Sequence, residues 1–270
     1  MALKPNLDVE LENALLRVKL SLGDTEVPAA IYAAGSVTRG WGNKNSDLDI
    51  FVVTSNIHSQ SNDKFAAVAL TLPSIRIRTL EGDRRLDLEF WTPDQVDQLL
   101  GKFEGIDVFD SPQLTPRELG LLTKFSTGQA LTSPAWLRTA QERLADSHFL
   151  TVISNALLNE GEGYIEDATG QLDAGHSECA VLSAQFAYEK TIDAFIASRG
   201  ELVTGRGKWR PKLLRAVSDD ENLYSTYWNI VTHARLHPGR PTQWVNSVLE
   251  ECQHLTLSIS HRTTNDGGNR

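Results

Sequence analysis

The sequence predicts an α+β fold: a short mixed sheet with flanking helices, followed by an all-α half. Three observations carry this. Short strand-like runs recur in the N-terminal part, apolar at 29–34, alternating at 84–91, with others at 47–54 and 74–80. From Thr115 onward the pattern turns helical, with Ala, Leu and Glu frequent and the breaks short. Between the runs at 74–80 and 84–91, Glu81-Gly82-Asp83 has the composition of a hairpin turn.

Taken in order, Leu7, Leu11, Leu15, Val18 and Leu22 mark an amphipathic helix that Gly23-Asp24 ends. An apolar strand at 29–34 runs into a Gly35-Ser36 turn, then a short helix or turn broken by Gly40-Trp41-Gly42. The strand at 47–54 follows. An Ala-rich helix is expected at 63–70, closed by Pro73, before the two strands of the hairpin. Thr92-Pro93 opens a helix to about Phe103, Pro being suited to a first turn. Thr115-Pro116-Arg117-Glu118 and Ser133-Pro134 open further helices, and 148–170 and 178–198 are the longest periodic stretches. Helices near 222–233 and 242–260 complete the helical half. The implied organisation is a domain at 1–110, a helical domain at 111–262 and a flexible tail at 263–270.

At 270 residues, 40% hydrophobic and 23% charged, the composition is that of an ordinary globular protein. The N-terminus lacks a signal-like apolar core, and no apolar run reaches membrane-spanning length. Cys179 and Cys252 form no metal-ligand spacing and no disulfide framework, so a cytoplasmic location is expected. The net charge of −9 and the lack of a Lys/Arg-rich run argue against nucleic acid as a partner. An acidic cleft would suit a cationic small molecule. Oligomeric state is not written in these residues, and a homodimer is compatible with them.

The chemistry concentrates at 35–49. Asp47 and Asp49 stand at i and i+2 of a strand and so share a face, while Leu48 and Ile50 turn to the core. Two carboxylates on one face call for a neutralising cation. The Gly35-Ser36 turn offers backbone N–H groups, and Arg39 a fork suited to phosphate oxygens. The pattern describes a metal–triphosphate site, and a two-metal site needs a third acid. Asp87 and Glu89 supply candidates on one face of the strand at 84–91. Two other phosphate motifs fail. Trp41 stands where a P-loop needs Lys, and Gly40-x-Gly42 lacks the third glycine of a dinucleotide fingerprint.

The Gly35-Ser36-x-x-Arg39-Gly40 turn, the Asp47-x-Asp49 strand and the Arg85-Leu86-Asp87-Leu88 strand together resemble the DNA polymerase beta-like nucleotidyltransferase superfamily. The layout, with helices following, is similar to antibiotic nucleotidyltransferases and to nucleotidyltransferases of toxin–antitoxin pairs. The resemblance implies two Mg²⁺ ions held by Asp47, Asp49 and Asp87, with ATP or another nucleoside triphosphate as co-substrate. Its register favours Asp87 as the third acid, with Glu89 able to share that role. Gly35, Ser36 and Arg39 would hold the triphosphate, with Ser46 beside them and Lys208 reaching in near Trp209. The implied reaction moves a nucleoside monophosphate to a small-molecule hydroxyl, with a protein or tRNA target, or a non-catalytic nucleotide-binding module, as alternatives.

Other signals carry less. Arg143 and His148 fit a loose Arg-x4-His ribonuclease pattern that arises easily by chance. His233 and His237 are four apart without a third ligand, so zinc is not expected. Glu189, Lys190 and Asp193 suit a salt-bridged helix face.

Overall fold

A computed structural model describes residues 7–23, 27–55, 66–68, 75–110, 112–205 and 207–266. The chain divides into two compact units, 1–106 with 112–148 and 107–111 with 149–270.

In the first unit, helix α1 (Leu7–Leu22) buries Leu11, Ala14, Val18 and Leu22, whose three- and four-residue spacing makes one apolar stripe. The stripe packs on a sheet of β1 (Ala30–Ala34), β2 (Leu48–Val53), β3 (Ala66–Val68), β4 (Ile75–Leu80), β5 (Leu86–Trp91) and β6 (Gln129–Ala130). The strand order is β3-β4-β5-β2-β1-β6. Central β2 and β5 are parallel, and the other neighbours are antiparallel, so the sheet is mixed.

Period two then sorts the side chains. Leu48, Ile50 and Val52 of β2 and Leu86, Leu88 and Phe90 of β5 join the α1 stripe in one core. The residues between them face the other side, where Tyr32 stacks on Phe51 at 4.9 Å and on Phe125 at 5.1 Å. Arg17 of α1 secures the hairpin between β4 and β5 by donating to the carbonyls of Leu80, Glu81 and Arg84.

Three helices complete this unit: α2 (Pro93–Gly101), α3 (Pro116–Ser126) and α4 (Pro134–Asp146). The first two open with capping boxes, Thr92 with Gln95 and Thr115 with Glu118. Glu118 is fully buried; one oxygen accepts from the Thr115 N–H and hydroxyl, and the other takes Lys102 Nζ at 3.0 Å.

In the second unit, α5 (Phe149–Asp173) and α6 (Ser177–Ser198) are joined by a short turn through Gly175, which has φ +79°. Gly161 lets them approach closely, since a Cβ there would lie 3.3 Å from Thr191 Oγ1. Helices α7 (Arg210–Val217), α8 (Glu221–Val231) and α9 (Pro241–Asp266) follow. Among the described residues no helix is long and apolar enough to cross a membrane.

The structure differs from the sequence reading in three places. Residues 66–68, expected within a helix at 63–70, form β3 and pair with Ile75–Ile77, so nonlocal hydrogen bonding overrides alanine's helical preference. The remainder of that expected helix, and Pro73, lie outside the described residues. The division expected after residue 110 falls instead after His148, because β6 pairs with β1 and Phe125 of α3 stacks on Tyr32. The tail expected from 263 is helical as far as Asp266, and 267–270 lie outside the described residues.

Glu118 gives a stability test. Glu118→Ala should cost about 3 kcal/mol, because it orphans the Thr115 N–H and leaves Lys102 without its buried partner. Urea unfolding measures this; a loss below about 1 kcal/mol would show the capping network to be dispensable.

Candidate active site

Register builds the site. In the parallel pairing of β2 with β5, Asp49 stands opposite Asp87, with Leu48 opposite Leu86 and Ile50 opposite Leu88. Neighbouring strands lie about 4.8 Å apart, so Asp49 and Asp87 leave the sheet side by side on one face. Asp47 comes one residue before β2 rather than within it, yet it reaches the same place. Arg85 Nη2 bonds Asp47 Oδ2 at 2.5 Å and Asp87 Oδ2 at 3.3 Å. Thr79 Oγ1 donates to the other Asp87 oxygen at 3.0 Å.

The Gly-Ser bend sits against these acids. Gly35 has φ +93°, and a Cβ built on it would stand 2.2 Å from Asp49 Oδ2. Only glycine fits there, both for its backbone and for the space the carboxylate takes. Thr38 Oγ1 donates to the Gly35 carbonyl, and the Ser36 carbonyl accepts from Trp41 and Gly42, closing the bend. Arg39 lies over the Trp41 ring at 4.0 Å. Ser46 shapes the loop before Asp47: its hydroxyl accepts from Asn43 N–H, and its carbonyl accepts from Arg84. Arg84 also pairs with Glu10, which ties this loop to α1.

Sequence reasoning missed Lys124. It arrives from α3, 75 positions along the chain, with Nζ 3.0 Å from Asp49 Oδ1 and 4.9 Å from the Phe51 ring. Its only signal was its place beside buried Leu121, Leu122 and Phe125, which does not name a partner. Arg85 was legible as part of a motif but not as the cation shared by two acids.

Glu89 is set apart from the trio. It pairs in register with Phe51, not Asp49, and is buried. Trp91 Nε1 donates to one of its oxygens at 3.0 Å and Arg117 meets the other at 3.2 Å. Burial raises its carboxyl above the ordinary value, against the pull of Lys124, Arg117 and Trp91. Lys208 belongs to the second unit, where its Nζ lies 5.2 Å from the Trp209 ring.

Asp47 and Asp87 titrate as neighbours. Burial raises Asp47, but bonds with Arg85 and Asp87 outweigh it and leave its carboxyl below the ordinary value. Asp87 is raised, first by burial and then by Asp47, against Thr79 and Arg85. Two adjacent acids sharing one cation separate in this way.

The acids are thus neutralised by the protein's own cations, and among the described residues no three His, Cys, Asp or Glu side chains are grouped so as to hold a metal ion. The donor chemistry nonetheless fits a hard divalent cation. Asp47, Asp49 and Asp87 present carboxylate oxygens on one face beside a cradle that any Cβ at Gly35 would fill.

The other sequence signals resolve as structural. Arg143 pairs with Asp97 and Glu104, and His148 is exposed at the end of the first unit. In the second unit, Arg210 of α7 binds Asp193 and Glu189, and Lys190 pairs with Glu160.

Residues 15–102 match the nucleotidyltransferase domain family. The match is consistent with the DNA polymerase beta-like superfamily, and the three acids and the Gly35-Ser36 bend lie within the matched span. Among solved structures, a nucleotidyltransferase-like protein from Exiguobacterium sibiricum 255-15 is similar at 13% identity over 92% of this chain and 75% of that one, with a TM-score of 0.49. No curated protein matches the chain.

The linkage signs are opposite for the two coupled acids. Asp47, depressed in the fold, contributes stability above the ordinary carboxylate value that is lost as pH falls through its folded value. Asp87, raised, contributes stability at low pH that is lost as pH rises through its folded value. Arg85→Gln should move the Asp47 titration upward in carboxyl-carbon NMR; an unmoved midpoint would remove Arg85 as the cause.

Proposed function

We propose that the chain transfers a nucleoside monophosphate, AMP from ATP as first choice, to a hydroxyl of a small-molecule acceptor and releases pyrophosphate. The observation that supports this most is the alignment of Asp49 with Asp87 in register beside Gly35, with Asp47 joined to them through Arg85. The domain match supports the reaction class.

In this proposal Asp47, Asp49 and Asp87 hold Mg²⁺, two ions by analogy with the superfamily, in exchange for their bonds to Arg85 and Lys124. The bound ions would supply charge neutralisation for the triphosphate and a more acidic acceptor hydroxyl. The Gly35-Ser36 bend admits the phosphates close to the backbone, and Arg39 leaves the Trp41 ring to brace them. Asp87, at the open end of β5, takes the acceptor's proton as its oxygen bonds to the α-phosphorus. The bond from that phosphorus to the β-phosphate oxygen breaks, and pyrophosphate leaves. Selection of the acceptor is assigned to the second unit. The cytoplasm is the proposed compartment, where ATP and Mg²⁺ are abundant.

Pyrophosphate release with ATP and Mg²⁺, screened over pooled metabolites and aminoglycosides, tests the reaction. Asp49→Asn and Asp87→Asn should each lose at least ~100-fold in turnover while Glu89→Gln stays within about threefold. Equal losses at Asp87 and Glu89 would reject the assignment of the third acid. Tight ATP binding without pyrophosphate release over the whole panel would reject turnover on small molecules. Gly35→Ala should push the Asp49 carboxylate aside and abolish activity; full activity in a folded Gly35→Ala protein would remove the bend from the site.

A further inference from the structure

We infer that α1 is a self-association surface, on which two copies of this chain pair antiparallel about a two-fold axis. The inference is independent of the reaction proposed above.

Helix α1 already spends one face on the sheet, through Leu11, Ala14, Val18 and Leu22. The outer face of such a surface helix is ordinarily polar. Here it carries Val9, Leu16 and Leu20, which are 51%, 60% and 83% exposed. With Asn13, which is also exposed, they recur at intervals of four, three and four residues. That is the spacing of a seam between two helices, and a single polar residue in such a seam sets its register.

The charges beside the seam specify the occupant. Asp8 and Glu12 are exposed in the first half of the helix, and Lys19 is exposed in the second. A copy laid antiparallel places each acidic half against a basic half, as a two-fold axis requires of a self-complementary surface. Val9 then meets the partner's Leu20, Asn13 meets the partner's Leu16, and Glu12 comes beside the partner's Lys19. Glu12 and Lys19 lie seven residues apart on one flank of the seam, are exposed, and form no ion pair among the described residues.

A parallel pairing would set acid against acid in the first half. It would also call on Arg17 to meet Glu12, and Arg17 is committed to the carbonyls of Leu80, Glu81 and Arg84. Beside α1 runs a groove of about 810 Å³, bounded by Val9, Asn13 and Leu16 on the helix and by Gly82 and Asp83 of the hairpin. It gives side chains of a second helix somewhere to sit, which enlarges the contact beyond one helix face.

Sedimentation equilibrium of the full chain across about 1–100 µM tests this. The wild type should show a concentration-dependent dimer, and Leu16→Glu with Leu20→Glu should be monomeric with unchanged circular dichroism, because both side chains are exposed. Lys19→Glu alone should weaken the dimer about tenfold, and adding Glu12→Lys should restore most of that loss. Restoration by the charge swap supports the antiparallel arrangement, since a parallel one never brings these two residues together. A wild type that stays monomeric, or a dimer indifferent to Leu16→Glu with Leu20→Glu, overturns the inference, whatever else then covers the stripe.

Discussion

The in-register parallel pairing of β2 with β5 is the constraint on which the rest of the first unit depends. Leu48 opposite Leu86 and Ile50 opposite Leu88 lock that register from the core side, against the α1 stripe. A slip of β2 by one residue would send Leu48 and Ile50 to the other face and pull Asp49 into the core. The same contacts that bury apolar surface therefore decide that Asp49 and Asp87 emerge together. Site geometry and core packing are one specification here, seen from two faces of the sheet.

What neutralises the acids matters as much as what aligns them. Asp49 is met by Lys124 and the Asp47–Asp87 pair by Arg85, so none of the three stands without a cation. These pairs are partly exposed, with side-chain exposures between 28% and 52%. Exposed pairs of this kind are weak and exchange readily with a competing ion. Lys124 is held in reach by α3, itself fixed through Phe125 on Tyr32 and through β6 on β1. The helical segment at 116–146 thus belongs with the sheet because it completes the charge balance of the acid face as well as the fold.

Those dependencies explain what the sequence could and could not disclose. Local signals were legible: the strand that carries Asp49, the Glu81-Gly82-Asp83 hairpin, and Thr92-Pro93 and Thr115-Pro116 as helix starts. Each depends on a few neighbouring residues. Residues 66–68 look helical by composition, and only their distant partner at 75–77 makes them a strand. Lys124 has no local mark that names its partner, which lies 75 positions away at Asp49. The unit boundary was misplaced for a similar reason. Helical periodicity begins at Thr115, but tertiary pairing keeps those helices with the sheet until His148.

The choice between Asp87 and Glu89 shows how register separates residues that periodicity treats alike. Both lie on the same face of β5, and alternation alone cannot rank them. Glu89 falls opposite Phe51, deep in the sheet, where Trp91 and Arg117 use both its oxygens. Taking that bond away strands the buried Trp91 N–H, so this partner is held firmly. Asp87 falls at the end of the strand, opposite Asp49, with Thr79 and Arg85 as neighbours and water within reach. In the proposed reaction the third acid trades one cation for another, so it has to sit where solvent can stand in between exchanges. Of the two, only Asp87 does; Glu89 is better understood as the group that holds Arg117 and Trp91 in place beneath the site.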